Sequence, residues 1–248
     1  MTTAKKITEF LNKELDINSI EDKSCNGLQM ENQGEVKKIG FAVDACLDTF
    51  EKTKEAGCQM LIVHHGMIWE GIKYIKGDTY KKVSFLIKNN LALYAAHLPL
   101  DKHEQYGNNI ELTRILKLQN IKPFGFHNNK AIGFIGETNT TVEEIKQKLS
   151  EKGMKTDCFC HGKTEIKKIA LVSGNGEGEV YQAILAGADL YLTGEKVYRY
   201  HHLTKENNFN VICGGHYATE TLGVKALMPL LKEKFNVEVE FIDNPVEM

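Results

Sequence analysis

Apolar positions along the chain follow two repeating rhythms. Short β-branched runs, Ile39 to Val43 and Ile169 to Val172, read as strands, and each leads into a helical stretch that stops at an Ala-Gly pair. Gly57 and Gly187 then stand where a helix end wants a residue tolerant of positive φ. A second apolar run follows in each case, Met60 to Val63 and Leu190 to Leu192. This β-α-β pattern predicts parallel strand pairs. The stretches starting at Lys37 and Lys167 align without a gap. After inserts of different length, LALYAAHLPLD (Leu91 to Asp101) matches FNVICGGHYATE (Phe209 to Glu220). Each copy ends a strand on a histidine and puts a carboxylate four residues later, His97 with Asp101 and His216 with Glu220. Around these units the periodicity predicts an N-terminal amphipathic helix (Ile7, Phe10, Leu11), helices over 83–88 and 110–117, and one over 142–149 opened by a Thr141–Glu144 capping box. It also predicts a helix after Glu220, interrupted or kinked at Pro229, and a final strand over 237–242.

The expected fold is therefore α/β, with two similar three-layer halves, an internal repeat, and mixed, partly parallel sheets. The loop NIKPFGFHNNK around Pro123 and Gly125 is the expected boundary, giving halves 1–124 and 125–248. At 248 residues, 42% hydrophobic and 26% charged, the chain can bury a substantial core and has no disordered or fibrous character. A net charge of -2 supplies no overall basic field for nucleic acid or an anionic membrane. No apolar run approaches a membrane span, and MTTAKKITEF lacks the apolar core of a signal peptide, so a cytoplasmic protein is expected. The six cysteines are scattered and read as thiols of a reducing compartment rather than a disulfide framework.

Ligands of α/β sheets collect beyond the carboxyl ends of the strands, where this sequence places LIVHHG, AAHLPLD, LTGEK and GGHYATE. Imidazoles and carboxylates at those ends suit zinc, iron or manganese. Each signal has a plainer reading. An adjacent histidine pair is more often a surface or hydrogen-bonded pair, and a histidine four residues before an acid also suits a helix N-terminus. The case for a metal site is that all the signals share the same strand ends and two recur. Successive strand residues face opposite ways, so His64 and His65 are expected to converge only if the chain leaves strand geometry there, and Gly66 allows that turn. Other motifs carry less. CFCH (Cys158, Cys160, His161) has no second thiol pair to complete a zinc cage, so these read as ordinary cysteines. SGNGEGE (Ser173 to Glu179) departs from GxGxxG, and Glu177 and Glu179 would repel an anion, which makes it a tight turn that could touch a ligand. HHLTKENN reads as a solvated helix face.

LIVHHG, NNLALYAAHLPLD, ALVSGNGEG, GADLYLTGEKVY and GGHYATE, with the early NGLQ (Asn26 to Gln29), occur in an order that closely resembles the GTP cyclohydrolase I type 2 homolog family, also called the NGG-interacting factor three family. The resemblance runs nearly end to end. It implies two divalent metal ions held by His64, His65, Asp101, His216 and Glu220, and a homohexameric ring enclosing a cavity. On that reading Glu220 bridges the ions, one histidine of the adjacent pair serves each, and His97 orients a ligand or moves a proton. With donors from both halves, the site is expected between them. The activity implied is metal-dependent hydrolysis of a nucleotide-like ring or amide. The alternative is a non-enzymatic protein that binds or delivers metal, or a regulatory ring, motivated by the scarcity of arginine: Arg114 and Arg199 are the only two. A third reading, nucleic acid in the ring cavity, rests on Lys37-Lys38 recurring as Lys167-Lys168; these pairs read more simply as solvated charges flanking strands.

Overall fold

In the computed structural model, which describes residues 1–246, the apolar runs of the two β-α-β stretches become the centres of two separate sheets. The chain begins with α1 (Ala4–Glu14), whose first turn is capped by the Thr3 hydroxyl, and continues through β1 (Gly27–Met30), β2 (Lys38–Asp44), α2 (Leu47–Glu55), β3 (Met60–His65), α3 (Gly77–Lys88) and β4 (Ala92–Ala95). A single turn, α4 (Leu98–Asp101), precedes α5 (Asn108–Leu116), β5 (Gln119–His127), β6 (Lys130–Thr141), α6 (Val142–Ser150), β7 (Asp157–Cys160) and β8 (Glu165–Leu171). A short 3-10 turn then leads to α7 (Val180–Leu185), β9 (Leu190–Thr193), α8 (Tyr200–Asn207), β10 (Asn210–Cys213), α9 (His216–Phe235) and β11 (Glu238–Phe241). No helix among the described residues is long and apolar enough to cross a membrane.

Two compact units result, one from Met1–Leu100 with Gly223–Pro245, the other from Asp101–Leu222 with Val246. The first holds a five-stranded sheet in the order β1-β4-β3-β2-β11, in which only β1 is antiparallel to its neighbour. The second holds six strands in the order β5-β6-β8-β9-β10-β7; β8, β9 and β10 are parallel, and β7, β6 and β5 pair antiparallel. The central parallel strands β3, β4, β9 and β10 are buried along almost their whole length, which is why they read as continuous apolar runs. In the first unit Leu61, Val63 and Leu93 join Phe50 and Leu86 in one core; in the second, Ile169, Leu190, Leu192 and Ile212 join Ile145 and Leu149.

The expected parallel pairs are present: Ile39 is opposite Met60, and Ile169 opposite Leu190. The helix ends also follow the sequence, with Gly57 at φ 74° and Gly187 at φ 67°. The backbone amides of Lys37 and Lys38 donate to the side-chain oxygen of Gln59 at 2.8 and 3.0 Å, and those of Lys167 and Lys168 donate to an Asp189 oxygen at 2.9 and 3.0 Å. The recurring lysines thus mark a recurring strand-entry bracket. The Thr141–Glu144 capping box forms as expected.

Three expectations change. Pro123 and Gly125 lie within β5, inside a hairpin, so that segment is regular structure rather than a loop. The helix starting at His216 is not interrupted at Pro229 but continues to Phe235, the interior proline forfeiting one backbone bond without ending it. Cys158 and Cys160, two residues apart on β7 and therefore on one face of the strand, are joined as a disulfide, with Cα atoms 5.5 Å apart, instead of being separate thiols.

Candidate metal centre

In the first unit three histidines gather at the carboxyl ends of the parallel strands. His64 and His65 are the last two residues of β3, and His97 follows β4. One ring nitrogen from each lies within 4.8 Å of the others, so the three could hold a metal ion. The ring centroids of His64 and His65 are 4.7 Å apart, and His97 is 5.1 and 5.5 Å from them. The neighbouring imidazoles approach while both residues stay within the strand, where a departure from strand geometry was expected. Side chains at a strand end lean along the chain direction, past the last rung of the sheet.

Each ring is held by its Nδ1. In fully buried His64 the Nδ1–H donates to Ala96 O at 2.9 Å. A carbonyl oxygen only accepts, so the proton sits on Nδ1 and neutral His64 carries its lone pair on Nε2, as a metal ligand requires. The Nδ1–H of His65 donates to Asp44 Oδ1 at 2.8 Å, and the register of β2 against β3 sets Asp44 directly beside it. His97 Nδ1–H donates to both Asp22 oxygens, at 2.9 and 3.1 Å. Burial by itself would raise the Asp22 pKa, but the His97 hydrogen bond and charge, with bonds from Asn26 and the Ser24 amide, hold it far below the usual carboxylate range. The NGLQ segment braces this end of the sheet: Asn26 Oδ1 accepts the His97 amide, and Gln29 Oε1 accepts those of Met67 and Ile68.

The second unit carries the acidic donors. Asp101, 6% exposed, accepts from Asn108 Nδ2 at 2.9 Å and from the Ser173 hydroxyl at 3.1 Å. His216 and Glu220 sit one turn apart at the start of α9, with His216 Nε2 2.9 Å from Glu220 Oε2. His216 Nδ1 is 2.7 Å from Glu195 Oε1. Burial tends to lower the His216 pKa, yet the hydrogen bonds and charges of Glu220 and then Glu195 outweigh it and push the pKa up to about 9. Asp101 and Glu220, nearly buried, have carboxylate oxygens within 4.8 Å of each other. Positive charge beside two carboxylates this close favours their ionised form. Gly174, at φ 59°, is the floor under these groups; a Cβ there would overlap the Glu220 carboxylate and lie 3.2 Å from His216 Nε2.

Of the residues read from the sequence, His64 and His65 gather with His97 in the first unit, and in the second Glu220 lies beside both His216 and Asp101. The sequence reading passed over Asp22, Asp44, Glu195 and Gly174. Glu195 had a signal, because the repeat aligns it with His65. Asp44 also ends a strand. Asp22 had none, since it precedes every regular strand. SGNGEGE proves to be a bracing turn: Gly174 O accepts two amides, Gly194 and Glu195, and Arg199 pairs with Glu177. Arg114, the other arginine, is held by Glu111 and Gln105 O.

Comparison with known proteins matches this chain over residues 2–246 to the family described as Duf34/NIF3 (NGG1p interacting factor 3). It is 45% identical over 246 residues to a GTP cyclohydrolase 1 type 2 homolog of Pyrococcus abyssi, covering 97% of this chain and 98% of that one. It is 42% identical to the homolog of Archaeoglobus fulgidus, covering 98% of each. Among solved structures, a Thermus thermophilus protein superposes with a TM-score of 0.90 at 35% identity, covering 100% of both chains.

Proposed function

The chain belongs to the Duf34/NIF3 family, and from that premise we propose that it is a metal-dependent hydrolase in which His64, His65, Asp101, His216 and Glu220 together hold two divalent cations. The observation that carries the proposal is the anchoring of the donors. His64 is fixed by a carbonyl oxygen on the nitrogen away from the cluster, and His65, His97 and His216 are each fixed by a carboxylate. Such outer partners set ring orientation and raise ligand basicity. The nitrogen and oxygen donor set suits zinc, iron or manganese.

When bound, two cations would polarise a carbon–oxygen or carbon–nitrogen bond and bring water towards ionisation near neutral pH. The chain's own part is positioning and proton handling. Glu220 and Asp101 supply the negative charge that a pair of cations requires, and Glu220 is the candidate to serve both. His97, held through its Nδ1 by Asp22, is placed to pass a proton or hold a substrate group. A nucleotide-like ring as the substrate is supported by the name of the relatives, GTP cyclohydrolase 1 type 2 homolog.

A second reading, metal binding or delivery without catalysis, draws support from the arginines. Both are engaged in ion pairs of their own unit, an arrangement that does not favour a triphosphate clamp. Elemental analysis of the purified protein, followed by assays of GTP, other nucleotides and cyclic amides with the wild type and Glu220→Ala, separates the two. Metal-dependent turnover abolished by Glu220→Ala is the expected result. Two bound metals without turnover would favour the second reading, and turnover that survives metal removal would refute the mechanism.

A further inference from the structure

Trp69 is the chain's only tryptophan, and it stands beside the histidine cluster of the first unit. Its ring centroid is 5.0 Å from that of His97, with the planes at 70°, and 6.2 Å from that of His65. The indole N–H donates to Gly66 O at 2.9 Å. The Trp69 backbone bridges to Ser24, and the next amide, Glu70, donates to Lys23 O. The side chain is thus pinned through its one polar atom and through its backbone, yet 41% of the residue remains exposed.

That combination is informative. An indole that merely filled the core would be covered, because large aromatic surfaces are the most favourable to bury. Its donor is already engaged by Gly66, so it cannot recognise a ligand by hydrogen bonding. What it offers is a rigid π face at the edge of a cluster of imidazoles. Fixed aromatic surface next to a few convergent polar groups is the usual make-up of a small-molecule site, and a flat conjugated ring is what stacks on an aromatic side chain.

We infer that Trp69 is a stacking platform for a planar heteroaromatic ring, which lies on the indole with its edge towards His65 and His97. For the reaction carried out on that ring the inference rests on the metal-hydrolase reading; the stacking does not. Stacking is tolerant of ring identity. Trp69 therefore selects flat, conjugated ligands over saturated ones, and discrimination among flat ligands falls to other groups.

A sole tryptophan is its own reporter. Titrate guanosine, adenosine and, as the non-aromatic control, ribose 5-phosphate into metal-free and zinc-loaded protein, following indole emission, and measure affinities by calorimetry for the wild type, Trp69→Phe and Trp69→Ala. Expected are saturable quenching by the nucleosides and none by the sugar phosphate, a loss of nucleoside affinity of roughly five- to hundredfold in Trp69→Ala, and retention of most of it in Trp69→Phe, with zinc stoichiometry equal in all three. The inference is overturned if neither nucleoside quenches saturably, or if Trp69→Ala binds nucleosides as the wild type does. Blue-shifted emission that acrylamide cannot quench in the native protein would overturn it too, by showing that another copy covers the ring. Saturable quenching in a protein that takes up no zinc would leave the platform standing and remove the metal reading.

Discussion

Gly174→Ala tests the packing of the acidic donors. A methyl group there meets the Glu220 carboxylate, which is 3% exposed, and approaches His216 Nε2 at 3.2 Å. The backbone at φ 59° adds about 1–2 kcal/mol for a residue with a Cβ. Displacing Glu220 also disrupts its contact with His216, a charge-assisted hydrogen bond of about 1.5–3 kcal/mol. Together these amount to roughly 2–5 kcal/mol, which for a chain of this length lowers Tm by roughly 5–15 °C. Metal uptake should fall as well, because the carboxylate cannot keep its place. Calorimetric melting and elemental analysis read the two effects. Gly178→Ala in the same turn is the control, since nothing lies within 4 Å of a Cβ there, and should stay within about 0.5 kcal/mol of wild type. A Gly174→Ala protein with wild-type Tm and metal content would refute the argument.

His64→Ala and His65→Ala should both lose metal. Only His64→Ala should also lose substantial stability, about 1–3 kcal/mol from removing the buried donor to Ala96 O, and equal melting temperatures for the two variants would contradict this. Burial pushes the thiol of Cys58 up to about 11 and that of Cys213 up to about 12. A thiol is ionised above its pKa, so at pH 8 only about one in a thousand or fewer is the reactive thiolate. In native protein without reductant, alkylation should mark Cys25 and Cys46 and spare these two until denaturant is added, as peptide mass spectrometry would show. The ring assembly implied by family resemblance predicts a particle of six times the 28.0 kDa chain mass in light scattering; a monomer at micromolar concentration would exclude it.

The β-α-β stretches were legible because their parallel strands are covered on both faces, which writes uninterrupted apolar runs into the chain, and because glycine at 57 and 187 marks the helix ends. His64, His65, Asp101, His216 and Glu220 were legible as motifs, since strand ends are where an α/β sheet exposes side chains. The groups that hold the histidines were mostly not. Asp22 reaches His97 across 75 residues through a segment without periodicity, and Gly174 matters for the volume of a carboxylate 46 positions away, to which no local pattern responds. Pro123 was misread because proline is rare within paired strands; here it lies in β5, the edge strand of its sheet, where an absent amide costs least.

The composition of the first sheet has a consequence for biosynthesis. Its outer strand β11 pairs with β2, Glu238 opposite Lys38, although almost the whole chain lies between them. At about 5–20 residues per second, a ribosome takes roughly 10–40 s to travel from Asp44 to Glu238. Throughout that interval β2, apolar from Ile39 to Val43, has an unsatisfied edge, while the entire second unit is made and can close on its own strands. A nascent chain stalled after Leu222 should therefore show a protease-resistant second unit and a first unit that remains cleavable. The early half of the sequence waits for the last strand, and the cell must keep that edge from other chains until it arrives.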